Sequence, residues 1–432
     1  MEKLWILLIS FVSISLVNCA PYSNISNSSD EFENSYVGIL ISPILSPEIS
    51  REIEIYWSHT KYRPGDKIGL YIEKPRDDLE PIFIMEPNIP VGIAKTGVQA
   101  DFIPSVKLNF TKQCLKYHVA WLRTGMVRKE NCLKTEPTWM ADMRCILKNQ
   151  RMRDIFLPGT HDTSAYTKTD MLLPETLVTK YAITQDEDVL GQLIYGARYL
   201  DIRVGYYGAE EIQWWGSHGL VPVVPLQTVI DDVKIFLDNT DEIVIFDVQE
   251  FPVGFGKDFS VHRKLVAFLE DQFADYIIPK SFSWSSTLDT IWSSGKRLII
   301  GYDEQNVVGM YDNLWPSVHQ QWGNVQKVDE LYEYLNKIET NALSSLKVNP
   351  RSAMAELTPK AWDIFLDRLG GLRKMAEEVD AKITIWYNTK WQLSANIVSV
   401  DFIKATGIVE AALEWNIRRF NNSFPIECKA NN

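Results

Sequence analysis

Several features are scarce in this sequence, and each scarcity excludes a class of protein. The 22 glycines and 20 prolines are about a tenth of 432 residues, far too few for a collagen-like or low-complexity chain. Basic residues number 44 against 56 acidic ones, and the net charge of −12 argues against a protein built chiefly to bind nucleic acid, because phosphate-backbone binding needs a basic surface. Beyond the first twenty residues, no run of about 20 apolar residues occurs, so we expect the mature chain to be soluble.

Residues 1–20 have the pattern of a secretory signal peptide. Glu2 and Lys3 precede an apolar run over residues 4–17, and small residues around Cys19 and Ala20 offer a cleavage site; an uncleaved anchor is the alternative. Four glycosylation sequons agree with secretion and begin at Asn24, Asn27, Asn109 and Asn421. We therefore expect a secreted, extracellular glycoprotein.

Four cysteines remain after residue 20: Cys114, Cys132, Cys145 and Cys428. An even number in an oxidising compartment favours two disulfides, for which three connectivities are possible. Of these we expect Cys114 with Cys132 and Cys145 with Cys428. A zinc site is the rival interpretation, and the absence of a Cys-x-x-Cys motif or a nearby pair of histidines disfavours it.

The chain divides near residue 139. Residues 21–34 are a polar, flexible leader, and residues 35–138 contain short predicted strands (52–57, 68–72, 105–110 and 116–122) that indicate an all-β sandwich. The phrase around Tyr56-Trp57 and Pro64-Gly-Asp66 resembles the immunoglobulin-like SKICH modules. Residues 139–432 alternate helical patterns (226–237 and 362–369) with predicted strands (243–248, 382–387 and 395–400). This alternation predicts an α/β fold, an irregular TIM-type (β/α)8 barrel.

Titratable residues collect at the predicted strand ends of this second half. They are His161 and Asp162, Asp201 and Arg203, His218, Asp247 and Glu250, and Asp401. In a parallel barrel all carboxyl ends of strands open on one face, so these groups should converge. The other four histidines, His59, His118, His262 and His319, are interpreted as structural.

Two imidazoles and a guanidinium suit the cleavage of a phosphodiester. One imidazole can remove a proton while another supplies one, and the guanidinium of Arg203 can neutralise the phosphate. Asp162 and Asp201 can hold Arg203 or an imidazole in place. The Gly-x-Ser-x-Gly motif is absent, which favours attack by a hydroxyl of the substrate on its own phosphorus.

Three ordered motifs carry a family resemblance: Leu-Pro-Gly-Thr-His-Asp at 157–162, Tyr-Leu-Asp-Ile-Arg at 199–203 and Ser-His-Gly at 217–219. They resemble the X region of phosphatidylinositol-specific phospholipases C, above all the secreted X-domain-containing proteins of animals. The resemblance covers residues 140–425 and implies that His161 is the general base on the inositol 2-hydroxyl and His218 the general acid. It also implies that Arg203 clamps the phosphate and that Asp401 orients His161.

The resemblance also bears on cofactors and partners. We expect no cofactor: calcium-dependent relatives carry acidic ligands near the second strand, where Arg203 stands, although Glu250 leaves calcium as an alternative. Glu250, Tyr302 and Trp386 are candidates for substrate contacts. The expected partner is a phosphatidylinositol-type headgroup reached by transient contact with a membrane surface; nucleic acid is not expected, and the sandwich has an unknown partner. Candidate interface aromatics are Trp214, Trp215, Tyr311, Trp315 and Trp322.

Two other functions are compatible with the sequence. One is a metal-dependent glycerophosphodiester phosphodiesterase or sphingomyelinase D-like barrel. The other is a catalytically weak extracellular protein that binds lipid or phosphosugar.

Overall fold

A computed structural model describes residues 32, 35–59, 61–167, 175–344 and 349–420. The predicted signal peptide, nearly all of the polar leader, Cys428 and the sequons at Asn24, Asn27 and Asn421 lie outside the described residues. In the described ranges, no helix is both long and apolar enough to cross a bilayer.

Two antiparallel sheets precede residue 136. Their strands are β1 (Tyr36–Ile41), β2 (Glu52–Ser58), β3 (Lys67–Tyr71), β4 (Phe83–Met85), β5 (Val91–Gln99), β6 (Gln113–Arg123) and β7 (Met126–Thr135). The strand orders are β1-β2-β5 and β4-β3-β6-β7. One apolar cluster draws on both sheets, with Ile55 of β2 and Leu70 of β3 beside Trp121 of β6, so that the two sheets share a core.

The predicted strands at 52–57, 68–72 and 116–122 are confirmed, whereas that at 105–110 is wrong. Residues Ser105–Lys107 form a short 3₁₀ helix instead, and Val106 is 77% exposed. The cause is Pro104, whose φ of −55° starts a tight turn and whose ring removes a hydrogen-bond donor from any ladder.

A disulfide between Cys114 of β6 and Cys132 of β7 confirms the first predicted pairing. The pairing of Cys145 with Cys428 stays a prediction.

Ten strands follow in the second half: β8 (Leu157–Thr160), β9 (Tyr199–Tyr206), β10 (Trp214–His218), β11 (Val221–Pro225), β12 (Val244–Val253), β13 (Leu298–Tyr302), β14 (Leu314–Pro316), β15 (His319–Trp322), β16 (Arg351–Met354) and β17 (Ile397–Val400). Eight of them run parallel in the order β14-β13-β12-β9-β8-β17-β16-β15. Only two residues separate β14 from β15, so the edges of this sheet lie close together and the sheet must curl. This curled sheet of eight parallel strands fits the predicted TIM-type barrel, while β10 and β11 form a hairpin beside β9.

Twelve α-helices occur in the described residues: α1 (Trp139–Asp142), α2 (Arg144–Leu147), α3 (Leu177–Ala182), α4 (Val189–Tyr195), α5 (Leu226–Asn239), α6 (Ser260–Phe273), α7 (Leu288–Ser293), α8 (Gln305–Val308), α9 (Val328–Ser344), α10 (Ala361–Phe365), α11 (Leu372–Thr389) and α12 (Ile408–Phe420). Helix α5 is as predicted: all six apolar residues of its periodic stripe are buried against strand residues such as Val204 and Phe246.

Two secondary-structure predictions in this half need correction. The strand expected at 382–387 is part of the long helix α11, because Val379, Ile383 and Tyr387 recur at helical spacing and are buried on one face. The helix expected at 362–369 ends at Phe365, and both Trp362 and Phe365 are largely exposed rather than buried.

Glu410 of α12 joins the amino-terminal sheets to the barrel half. Its carboxylate accepts hydrogen bonds from Tyr56 and Asn131 and pairs with Lys134 at 2.8 Å. Burial raises the pKa of Glu410 to about 8, and the positive charge of Lys134 and two neutral donors compensate for this loss of hydration. The sheets are thus held against the helix layer on the outside of the barrel.

Candidate active site

The predicted catalytic residues meet at the carboxyl ends of the parallel strands. His161 follows β8, Arg203 lies in β9, His218 ends β10 and Asp401 follows β17. These four side chains line one cavity of about 520 Å³ together with Glu250 of β12. Parallel strands explain the convergence of His161, Arg203 and Asp401, since residues far apart in sequence emerge on the same face of the barrel, whereas His218 is brought in by β10, which runs antiparallel to β9.

His161 is held by both ring nitrogens. Nδ1 lies 2.7 Å from Oδ1 of Asp401, and Nε2 lies 2.8 Å from Nη2 of Arg203. Because arginine only donates, this second contact requires an unprotonated Nε2, and the proton of a neutral ring then lies on Nδ1 toward Asp401. The geometry therefore corresponds to the base form of His161.

The charges around His161 favour the imidazolium. Burial alone would lower the pKa of His161, but the carboxylates of Asp401 and Glu356 outweigh burial and raise the pKa to about 9. The contact with Arg203 opposes them, because a guanidinium disfavours a second cation. The base form that the geometry shows is hence the form that predominates above about pH 9.

Arg203 is a fixed, buried cation. Its Nη2 lies 3.2 Å from Oδ2 of Asp201, its Nε 3.7 Å from Oδ2 of Asp162, and its Nη1 3.8 Å from Oε1 of Glu250. Burial would lower the pKa of Arg203, but these three carboxylates raise it above the usual value. Burial by itself would raise the pKa of Asp201, but the positive charges of Arg203 and His161 outweigh burial and hold this pKa below its usual value. The carboxylates of Asp162, Asp201 and Glu250 therefore all face the guanidinium of Arg203.

Asp162 is fully buried and lies close to His218. Its Oδ2 is 3.9 Å from Nε2 of His218, and burial raises its pKa to about 7. In the part of the chain that the structure describes, no group donates a hydrogen bond to either carboxylate oxygen of Asp162. Asp162 also has a φ of +37°, an uncommon backbone conformation that structures often keep at functional sites. Burial, with the charges of Arg203 and His161, lowers the pKa of His218 to about 3, which favours the neutral imidazole.

Glu356 also lines the cavity, and the sequence analysis missed it. It follows β16, is only 3% exposed, and neither carboxylate oxygen has a hydrogen-bond partner among the described residues. Burial raises the pKa of Glu356 to about 7. The signal was present in the sequence, since Ala353-Met-Ala-Glu356 is an apolar strand that ends in a titratable residue, like the segments before His161 and Asp401.

Two candidates for substrate contact lie elsewhere. Tyr302 is buried on the outer side of β13, where its hydroxyl lies 2.8 Å from Nδ1 of His262 and its ring packs against Phe251. Trp386 belongs to α11 and packs against Tyr332. Of the residues that the structure describes, neither of these two lines the cavity, so we drop both from the site and keep Glu250.

Potential metal ligands collect at two places within the described ranges, and at each of them a metal ion would have to compete with protein groups. At the cavity, the guanidinium of Arg203 lies among the carboxylates of Asp162, Asp201 and Glu250, and it would repel a second cation placed there. In the amino-terminal sheets, Cys114, His118 and Cys132 lie close enough to hold an ion, but the disulfide removes both thiolates.

Exposed apolar side chains surround the mouth of the cavity, and we call this set the rim. Leu177 and Val178 of α3 and Trp322 of β15 line the cavity itself. The other members are Leu220 of the β10–β11 turn and Trp362 and Phe365 of α10, which are next in sequence to lining residues or one residue removed from them. All six are between 46% and 77% exposed. Among the aromatic residues predicted for an interface, Trp322 belongs to the rim, whereas Trp315 is buried and Trp214 packs against Phe268.

Comparison with known proteins confirms the resemblance. The chain is 25% identical to PI-PLC X domain-containing protein 1 of Homo sapiens in an alignment of 313 positions, and the match covers 66% of this chain and 94% of that protein. It is 25% identical to PI-PLC X domain-containing protein 2 of Mus musculus in an alignment of 305 positions, and that match covers 64% of this chain and 87% of that protein. No protein-family model matches the chain.

Solved structures agree on the fold. The phosphatidylinositol-specific phospholipase C from Staphylococcus aureus superposes with a TM-score of 0.52 and 16% identity, covering 65% of this chain and 97% of that chain. The barrel half therefore has the fold of the phospholipase C-type phosphodiesterases.

Proposed function

We propose that the chain is a phosphodiesterase of the phosphatidylinositol phospholipase C type, which forms a cyclic inositol phosphate and releases a neutral lipid. The observation that supports this most directly is the meeting of the His161–Asp401 pair, Arg203 and His218 on one cavity. Residues 139–432 would be the catalytic domain of a secreted enzyme, and residues 35–138 an immunoglobulin-like domain whose partner is unknown.

The proposed reaction assigns one proton transfer to each histidine. Nε2 of His161 removes the proton of the inositol 2-hydroxyl, whose oxygen forms a bond to phosphorus. The bond between phosphorus and the lipid oxygen breaks, and His218 donates a proton to that oxygen. Arg203 now donates to Nε2 of His161; an anionic phosphate oxygen would take over this donor and free Nε2 for the hydroxyl.

Substrate binding must change the protonation of the two histidines. The surrounding protein groups favour the charged form of His161 and the neutral form of His218, which is the reverse of what the first step requires. A phosphate anion against Arg203 would cancel the positive charge that helps to lower the pKa of His218. We therefore propose that His218 becomes an acid only in the complex and that activity rises from neutral pH toward pH 9, as His161 loses its proton.

We also propose contact with a membrane through the rim. The rim places apolar side chains beside the entrance of the cavity, where a lipid headgroup would have to enter. The net charge of −12 disfavours strongly anionic bilayers at long range, so we expect the contact to depend on apolar insertion rather than on charge.

The test uses the purified mature chain with phosphatidylinositol and with a GPI-anchored protein, each with and without EDTA. We expect cleavage that EDTA does not inhibit, and its loss in His161→Ala and in His218→Ala. His319→Ala is the matched control, because His319 is exposed at the amino-terminal end of β15, opposite the cavity. Activity near that of wild type in either cavity variant would refute the acid–base roles, and inhibition by EDTA would favour the metal-dependent phosphodiesterase.

One observation supports a second candidate, a catalytically weak binding protein. The surrounding groups favour a charged His161 and a neutral His218, whereas cleavage needs a neutral base and a charged acid. A protein that only binds the headgroup would not need either histidine to change its protonation. Saturable binding of myo-inositol 1-phosphate in calorimetry, with no turnover of either lipid substrate between pH 6 and pH 10, would favour this candidate.

A further inference from the structure

Glu356 combines deep burial with a lack of partners. Only 3% of the residue is exposed, and within the described residues no group donates a hydrogen bond to either carboxylate oxygen. Burying an ionised carboxylate without a donor is costly, by several kcal/mol even after the protein relaxes. Because the side chain also lines the cavity, a ligand can supply the missing donor.

The strand order fixes which part of a ligand would meet Glu356. Neighbouring strands run β12-β9-β8-β17-β16, so the His161–Asp401 pair lies between Arg203 on one side and Glu356 on the other. The phosphate belongs on the side of Arg203, since a carboxylate repels it. Suppose that the attacking hydroxyl of a substrate lies at His161 and its phosphate lies at Arg203. The atoms on the other side of that hydroxyl, away from the phosphate, then lie next to Glu356.

We propose that Glu356 is a specificity-determining residue that accepts a hydrogen bond from the substrate hydroxyl next to the attacking one, on the side away from the phosphate. This inference rests on the proposed function. In an inositol ring the phosphate is on C1 and the attacking hydroxyl on C2, so the hydroxyl in question is that on C3. A phosphate group at C3 would meet the carboxylate with like charge, and the site should reject such a headgroup.

A positioning role through His161 is the competing explanation. Glu356 contributes to the raised pKa of His161, so its removal would ease deprotonation of His161 for every substrate. Recognition of a hydroxyl predicts something different, namely a loss that depends on whether the substrate carries that hydroxyl. The two roles can be separated with a substrate that differs only at C3.

The experiment compares phosphatidylinositol with its 3-deoxy analogue on wild type, Glu356→Gln and Glu250→Gln. Glu250 is the matched control, since it loses the same charge in the same cavity but lies on the side of Arg203. A hydrogen bond to a charged group predicts that wild type cleaves the 3-deoxy analogue about 10- to 100-fold less efficiently in kcat/KM. Glu356→Gln should lose most of this preference, whereas Glu250→Gln should keep it. An unchanged preference in Glu356→Gln would overturn the inference.

Binding separates this inference from the proposed function. Calorimetry with myo-inositol 1-phosphate and its 3-deoxy analogue needs no turnover, and the same loss of preference in Glu356→Gln is expected. Preference without turnover would support the role of Glu356 while refuting the enzyme; no preference, or no binding of either ligand, would overturn the inference.

A stability measurement excludes a purely structural role. Glutamine keeps the shape and removes a buried charge, and at pH 10 His161 no longer carries a compensating charge, so the melting temperature of Glu356→Gln at pH 10 should equal or exceed that of wild type. A clear decrease would indicate that the carboxylate stabilises the fold and would contradict the proposal.

Discussion

Replacing Asp401 with asparagine tests the electrostatics of the site most directly. The carboxylate lies 2.7 Å from Nδ1 of His161 and is the strongest of the charges that raise the pKa of this imidazole from 6.5 to about 9. That difference is equivalent to about 3 kcal/mol in favour of the imidazolium. Asparagine can still accept the Nδ1 hydrogen, so the ring should keep its orientation while it loses most of this energy.

We expect the pKa of His161 in Asp401→Asn to fall well below 9, because burial and the charge of Arg203 lower it and only Glu356 still opposes them. The acidic limb of the pH–rate profile should shift to lower pH by the same amount as this pKa. The maximal rate should decrease by about 10²- to 10⁴-fold, because the imidazolium that forms during proton abstraction is no longer stabilised. Titration of ¹⁵N-labelled imidazoles by NMR measures the pKa, and hydrolysis of phosphatidylinositol at several pH values measures the limb.

The same substitution should change how stability depends on pH. A raised pKa in the folded state stabilises wild type fully below pH 6.5, and this stabilisation disappears as the pH rises through about 9. The difference in unfolding free energy between pH 6 and pH 10 should therefore shrink by up to about 3 kcal/mol in Asp401→Asn. Asp271→Asn, an exposed substitution in α6, is the control. A His161 that still titrates near pH 9 without Asp401 would refute the reasoning.

Four further predictions concern other parts of the molecule. Replacing Cys114 and Cys132 with serine opens a loop with a sequence separation of 18 and should lower the unfolding free energy by about 3 kcal/mol in urea denaturation, with kcat unchanged. Arg203→Lys should reduce kcat by about 10²- to 10³-fold, and added calcium should not restore it, because an ammonium cannot reproduce the planar fork. Tyr302→Phe removes one buried hydrogen bond and should lower stability by about 1 kcal/mol while kcat stays as in wild type; a fall in kcat would return Tyr302 to the site. Phe365→Ser should weaken binding to phosphatidylcholine vesicles in co-sedimentation but leave cleavage of a water-soluble substrate intact, and equal vesicle binding would refute the rim as a contact surface.

The strand-end pattern explains which site residues could be predicted. His161 and Asp401 each follow a short apolar strand and Arg203 lies within one, and a parallel barrel brings such strands together whatever their order in sequence. Glu356 follows the same kind of segment and could have been found in the same way. Distances between side chains, such as the contact of Arg203 with Nε2 of His161, depend on the stagger between neighbouring strands, which the sequence does not express.

The errors arise where local pattern and packing disagree. Lys382-Ile-Thr-Ile-Trp-Tyr387 contains the β-branched and aromatic residues of a strand, yet the helical face that begins at Leu372 continues through it, and packing of that face decides the outcome. Trp386, predicted as a substrate contact, lies in this helix and packs against Tyr332 instead. Trp362 and Phe365 have the spacing of a buried helical face, but α10 ends after five residues and exposes both beside the cavity.

The charges of the cavity impose a limit on what it can bind. Among its described lining residues, Arg203 is the only lysine or arginine, whereas Glu250, Glu356 and Asp401 are carboxylates. One guanidinium can neutralise one phosphodiester, and each further phosphate on the headgroup would face carboxylates in a partly dehydrated space, where repulsion between like charges is strong. The cavity should therefore prefer phosphatidylinositol over its multiply phosphorylated derivatives. Competition between phosphatidylinositol and phosphatidylinositol 4,5-bisphosphate in mixed vesicles measures this preference, and equal cleavage of both lipids would show that the carboxylates do not face the headgroup.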